Sequence, residues 1–249
     1  MLTTKKFEPV TAENIANPHL YDHSHANVHS GWLRAAVFGA MDGLVSNIAL
    51  IAGIAGAGAP AGIVALTGVS GLLAGAISMA LGEYASVRTQ NEQLDYEVRI
   101  ESDALKRNPE GEELELIEQF VDLGMTRTTA QYAASEVHGN HDSALRLHLS
   151  NELGLSVDDR PSPWIAAISS LLAFGVGALI PVLPYLIGLP HILWALGFGG
   201  VGLALAGGLA ATFSRSGVLR NAGRQLLFGS IAVVVTYAIG TLLGVSSLG

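Results

Sequence analysis

The sequence predicts an all-α, polytopic membrane protein: five transmembrane helices, with a cytosolic helical domain between helices two and three. Three observations carry this. Of the 249 residues, 50% are hydrophobic and only 14% are charged, against about 25% in an ordinary soluble domain. The charges are segregated, and Gly43–Gly82, Pro161–Ser214 and Gln225–Gly249 contain no Asp, Glu, Lys or Arg. Runs of that length hold membrane spans. The net charge of −8 resides in the polar middle of the chain, and no basic patch with interleaved aromatics marks a nucleic-acid surface. With no cysteine, disulfides, thiolate metal sites and iron–sulfur ligation are excluded.

Residues 1–30 form a polar N-terminal tail carrying His19, Asp22, His23, His25 and His29. The i,i+4 pairs His19/His23 and His25/His29 would suit a metal on a helix, but Asn17-Pro18 weakens the helix, and a solvated tail is the plainer reading. The tail lacks the layout of a cleaved signal peptide, so the first span is expected to direct insertion.

Residues 31–83 hold spans one and two. The first runs through GWLRAAVFGAMDGLVSNIALIAGIAGAG, with a single charge, Asp42, between Ala35 and Gly58. A stretch of this length crosses a hydrocarbon core of ~30 Å at ~1.5 Å per residue. A carboxylate there costs about 2.5–3.5 kcal/mol on insertion scales and is retained where it faces a cavity or a partner. The uncharged turn GAGAPAG leads to the second span, Ile63–Leu81. Gly39/Gly43 and Gly71/Gly75 are small-residue pairs that let helix backbones approach. Met79 and Glu83, four residues apart, share a helix face.

Residues 84–162 form the helical domain. Its first helix continues out of span two to about Lys106, and Asn108-Pro109 ends it. Glu110–Leu123 is the second, with apolar Leu114, Leu116, Ile117, Phe120 and Val121 and acids Glu112, Glu115, Glu118 and Asp122; Glu112 and Glu115 read as exposed. Gly124 stops it. Thr126 caps a third helix to about Val137, and Asn140 a fourth to Leu153. Residues 163–249 hold spans three to five, Trp164–Ile187 (with Pro181 and Pro184), His191–Phe213 and Leu226–Leu248. Arg215, Arg220 and Arg224 are expected in the loop between spans four and five.

All 13 Lys and Arg lie in the N-terminal segment through Arg34, in the middle domain or in that last loop. With five spans these segments share one side, which the positive-inside rule makes the cytosol. The C-terminus then lies on the opposite side. Trp32, Trp164 and Trp194 fall near span ends, as interfacial anchors should.

The candidate metal ligands form two groups. Asp42, Met79 and Glu83 lie in or at the membrane. Glu101, Glu112, Glu115 and Glu152, with His148 one turn before Glu152, lie in the helical domain, which makes it a candidate metal-binding domain. Carboxylates with imidazole or thioether suit intermediate divalent ions such as Fe²⁺ or Mn²⁺; the alternative for the acids is a solvated helix face. No Glu-x-x-His motif of di-iron bundles, nucleophile triad or phosphate loop occurs, so an enzyme is not expected.

GWLRAAVFGAMDGLVSN in span one and GLLAGAISMALGEYASV at the end of span two, followed by an acidic domain and three apolar spans, resemble the vacuolar iron transporter family over roughly residues 30 to 249. The resemblance implies a homodimer with a pathway at its interface, lined by Asp42 and Met79. It also implies proton-coupled export of Fe²⁺ (or Mn²⁺) from the cytosol, and metal capture by Glu101, Glu112, Glu115 and Glu152. The chain departs from the family at Ala104, where a glutamate is expected, and at His148 and Leu149, where paired methionines are expected. Metal and protons are cargo, with no prosthetic group. The expected membrane is the bacterial inner membrane, or alternatively a vacuolar one. The competing reading is a membrane-anchored metal-binding or sensor protein without transport; an intramembrane Asp argues against it, since an anchor has no use for one.

Overall fold

A computed structural model describes residues 31–153, 160–214 and 217–246, with side chains over 32–151, 160–211 and 217–244. The tail histidines His19, His23, His25 and His29, and Arg215, lie outside the described residues. Among the described residues eight helices follow one another: α1 Gly31–Gly56, α2 Ala61–Arg107, α3 Pro109–Asp122, α4 Arg127–His138, α5 His141–Leu153, α6 Pro163–Leu186, α7 Ile192–Ser214 and α8 Val218–Ser246. No strand occurs among the described residues. Five of these described helices, α1, α2, α6, α7 and α8, are long and apolar enough to cross a membrane.

The expected continuation of span two is borne out. Helix α2 has 47 residues, about 70 Å at 1.5 Å per residue, more than twice the thickness of a hydrocarbon core. Its C-terminal half therefore projects beyond the apolar layer and carries α3, α4 and α5. The junction is fixed by Tyr84 of α2, whose ring lies 4.9 Å from that of Trp164 at the start of α6. Asn91 Nδ2 donates to the Pro161 carbonyl at 3.0 Å, and Arg160 pairs with Asp95 at 2.7 Å. Trp32, Trp164 and Trp194 are all exposed near helix starts.

Local chemistry sets the boundaries. The Asn108 side chain accepts from Gly111 N at 3.3 Å to cap α3, with Pro109 in its first turn. The Thr126 hydroxyl accepts from Thr129 N at 3.3 Å to cap α4, and Asn140 Oδ1 accepts from Ser143 N at 3.1 Å at the start of α5. Each satisfies an amide that the helix start leaves without an internal partner. Gly124, at φ +98°, takes the left-handed turn after α3.

Helix α1 is the hub of the membrane layer, packing on α6, α8, α2 and α7. Its contact with α6 is backbone against backbone. A Cβ on Gly43 would collide with the Phe174 carbonyl oxygen, and one on Gly177 with that of Ala40. Gly43→Leu should therefore separate α1 from α6 and destabilise the protein by about 1–3 kcal/mol or more, the usual cost of overpacking. Thermal unfolding in detergent checks this, and a wild-type midpoint would show that the helices part freely. The α3–α5 helices have their own apolar centre, Leu116, Ile117, Phe120, Ala130 and Ala134.

Two expectations change. Leu114 is exposed rather than part of the α3 stripe; it precedes Leu116 by two residues, roughly 200° around a 3.6-residue turn. Helix α8 begins at Val218 rather than at Leu226, so Arg220 and Arg224 ride on its first turns instead of a loop. The intervening residues are mostly good helix formers, and long basic side chains reach back to the polar layer from a helix end.

Candidate functional site

In the membrane layer, Asp42, Ser46 and Leu50 recur at four-residue spacing along α1. All three are exposed on a single copy of the chain. With Asn47 they line a cavity of about 300 Å³, completed by Gly71, Gly75, Ser78 and Met79 of α2 and Phe174 of α6. Gly75 lets the Phe174 ring lie against α2, because a Cβ there would strike it. The cavity thus offers a carboxylate, a thioether, two hydroxyls and an amide. The Ser46 hydroxyl donates to the Asp42 backbone carbonyl at 2.6 Å. Of the three candidates that the sequence places in or at the membrane, Asp42 and Met79 share this cavity.

Asn47 was not anticipated. It is 2% exposed, and its Nδ2 donates to the carbonyls of Gly68 at 3.1 Å and Ala178 at 2.7 Å. One side chain on α1 thereby joins α2 and α6 beside the cavity. The only hint in the sequence is an amide in an otherwise apolar stretch. Interhelical hydrogen bonds in membranes contribute ~0.6 kcal/mol on average and up to ~1.7, so Asn47→Leu should cost about 1–2 kcal/mol of stability. A detergent melt that does not move would assign Asn47 no bracing role.

Glu83 lies one turn beyond Met79 and does not line the cavity. Its carboxylate pairs with Arg34 at 3.3 Å, tying the start of α1 to α2.

A second group forms where α2, α3 and α5 meet. His148 is fully buried; its Nδ1 lies 3.3 Å from Glu101 Oε1 and 3.9 Å from Glu112 Oε2. One ligand atom from each of the three falls within 4.8 Å of the others, close enough to hold one ion. Glu112 was expected to be exposed, but its side chain is only 15% exposed. The spacing of Glu112, Leu116 and Phe120 puts it on the inward side of α3. Glu115, one residue before Leu116, is exposed and outside the group. Glu152 belongs to the last turn of α5, and its side chain lies outside the described part. Leu149 is fully buried as packing.

His138 was not anticipated from its sequence context. It ends α4, and its Nε2 is 3.2 Å from His148 Nε2, with the rings meeting edge-on. Burial foremost, and then the His148 ring, push its pKa below the ordinary histidine value, while Glu113 and Glu112 act in the opposite direction. The Gly139–Asn140 turn brings α5 back to α4, which makes neighbours of two histidines ten residues apart.

Both groups lie within the stretch, residues 33–241, that matches the profile of the VIT family. The chain belongs to the VIT family. It is 34% identical over 219 residues to a vacuolar iron transporter of Acanthamoeba castellanii, covering 86% of this chain and 79% of that one. It is 29% identical to vacuolar iron transporter 1 of Arabidopsis thaliana, covering 83% and 84%. It is 31% identical to vacuolar iron transporter homolog 3 of the same plant, covering 86% and 84%. The matched stretch runs from the first turn of α1 into α8 of this VIT-family chain and includes α3–α5, so both groups of candidate ligands fall within it.

Proposed function

We propose that this chain transports divalent iron, with manganese as an alternative cargo, out of the cytosol in exchange for protons. The observation that carries the reading is Asp42, a carboxylate within an apolar helix, facing a cavity that also holds the Met79 thioether. A carboxylate balances a divalent charge and can also carry a proton, and a thioether favours iron over the harder magnesium and calcium. The relatives from Acanthamoeba castellanii and Arabidopsis thaliana are named as iron transporters, which supports iron as the cargo.

The working unit is a homodimer. Asp42, Ser46 and Ser78 are exposed on a single copy, and hydrocarbon is a poor neighbour for a carboxylate. A second copy presenting the same face would enclose the cavity as a pathway. The side bearing α3–α5 faces the cytosol, following the basic residues, and Glu101, Glu112 and His148 collect metal there. Moving a divalent cation out of a negative cytosol costs ~2.3 kcal/mol per charge per 100 mV, which a proton gradient offsets if metal and proton compete for Asp42. Glu83, held by Arg34, stands at the cytosolic mouth.

Purified protein in liposomes tests this. Fe²⁺ or Mn²⁺ should enter the lumen when it is acidic, and lumenal protons should leave as the metal arrives. Entry that follows voltage alone would make the protein a uniporter. No entry, with metal still bound, would return it to an anchored metal-binding protein.

A further inference from the structure

His138 and His148 stand in an arrangement that the carboxylates alone do not require. His148 is buried from end to end, with one ring nitrogen turned to Glu101 and Glu112 and the other to His138. A neutral imidazole carries one proton, so one nitrogen donates and the other accepts. Without metal, a proton on Nδ1, 3.3 Å from the negative Glu101 carboxylate, is the favourable form, and Nε2 then accepts from His138 Nε2–H. A cation held by Glu101, Glu112 and His148 needs the opposite form, with the lone pair on Nδ1 and the proton on Nε2.

Resting on the proposed role of this group in holding metal, we infer that His138 is a positioning residue that sets the tautomer of His148 and so turns its Nδ1 into a metal ligand. When metal arrives, His148 gives up its Nδ1 proton and takes the Nε2 proton of His138. His138, which is only part-buried, takes a proton from water at its own Nδ1. One proton leaves and one enters, so the pair keeps its charge. His138 Nε2 then accepts from His148 Nε2–H at the observed spacing. Metal-bound histidines commonly donate their second ring N–H to such an acceptor, whose removal typically weakens metal binding about 10–100-fold. Here the acceptor is another histidine, which can reverse its own donor and acceptor ends as the metal comes and goes. A carboxylate in its place could only accept.

The test uses the full-length protein in nanodiscs, with ¹⁵N-labelled histidine and Zn²⁺ as a diamagnetic probe. His148 signals are identified by their loss in His148→Gln. Without Zn²⁺, Nδ1 of His148 should be the protonated nitrogen; with Zn²⁺, Nδ1 should carry the metal and Nε2 the proton. The fraction of His148 signal shifted gives the affinity of this site alone. His138→Leu should weaken it about 10–100-fold, whereas His138→Gln, whose amide oxygen can accept from Nε2–H, should restore most of it. Metal on Nε2 of both histidines, or wild-type affinity in His138→Leu, would overturn the positioning role. If instead the double variant Glu101→Gln/Glu112→Gln leaves the His148 signal and its Zn²⁺ response unchanged, the metal site itself is wrong, which is a separate failure.

Discussion

Asp42→Asn should abolish gradient-driven metal transport while leaving a folded, membrane-inserted protein. The amide has the shape of the carboxylate, and the backbone carbonyl of residue 42 still accepts from Ser46, so α1 keeps its place. What disappears is the charge that balances a divalent cation and the group that exchanges it for a proton. Removing one partner from a buried ionic interaction costs about 3–5 kcal/mol, which corresponds to roughly a 10²–10⁴-fold loss of affinity. Uptake of Fe²⁺ and Mn²⁺ into liposomes with an acidic lumen measures it, together with the lumenal pH. Flux within a few-fold of wild type would remove Asp42 from the pathway. Proton release lost while metal flux persists would leave Asp42 as a proton carrier only. Met79→Leu, which keeps the bulk and deletes the sulfur, should have a smaller effect, because the thioether contributes polarizability rather than charge.

Glu112→Gln should lower metal affinity at the α2–α3–α5 junction by about 10–100-fold, the equivalent of a charge-assisted contact of ~1.5–3 kcal/mol. Glu115→Ala, only three residues away, should change it little. The difference is geometric. Glu112 is largely buried beside His148, whereas Glu115 faces solvent, where an acid interacts weakly and is screened by salt. Calorimetric titration of the detergent-solubilised chain with Mn²⁺, carried out in an Asp42→Asn background to isolate this site, distinguishes the two. Equal losses in both variants would mean that metal is collected by the acidic surface as a whole. No loss in either would make Glu112 a buried partner of His148 and nothing more.

The five apolar helices were legible in the sequence because a bilayer reads composition locally. An uncharged run of sufficient length is a span wherever it falls in the chain, and Asp42 stands out because such a run has so little else in it. The breaks between α2, α3, α4 and α5 were legible for a similar reason. Asn108, Thr126 and Asn140 each satisfy an amide within three residues, so the capping chemistry is complete within a few consecutive residues. Glu101, Glu112 and His148 were identified as candidates by type and by family resemblance.

Which acids converge was decided only by the tertiary structure. Helix α3 carries acids on several sides, and periodicity alone does not say which side meets α2 and α5; that depends on where Leu116, Ile117 and Phe120 find Ala130 and Ala134. Asn47 meets a carbonyl 131 positions away on α6, and Glu83 meets Arg34 of α1 across the helix pair. His138 gains its significance from the fold of one turn, which sets its Nε2 against that of a buried histidine. Spans and caps follow from interactions among near neighbours or with the solvent, which the sequence states directly. The candidate ligand groups follow from contacts between helices, whose rotation and register are fixed by close packing of glycines and apolar side chains and are not encoded at any single position.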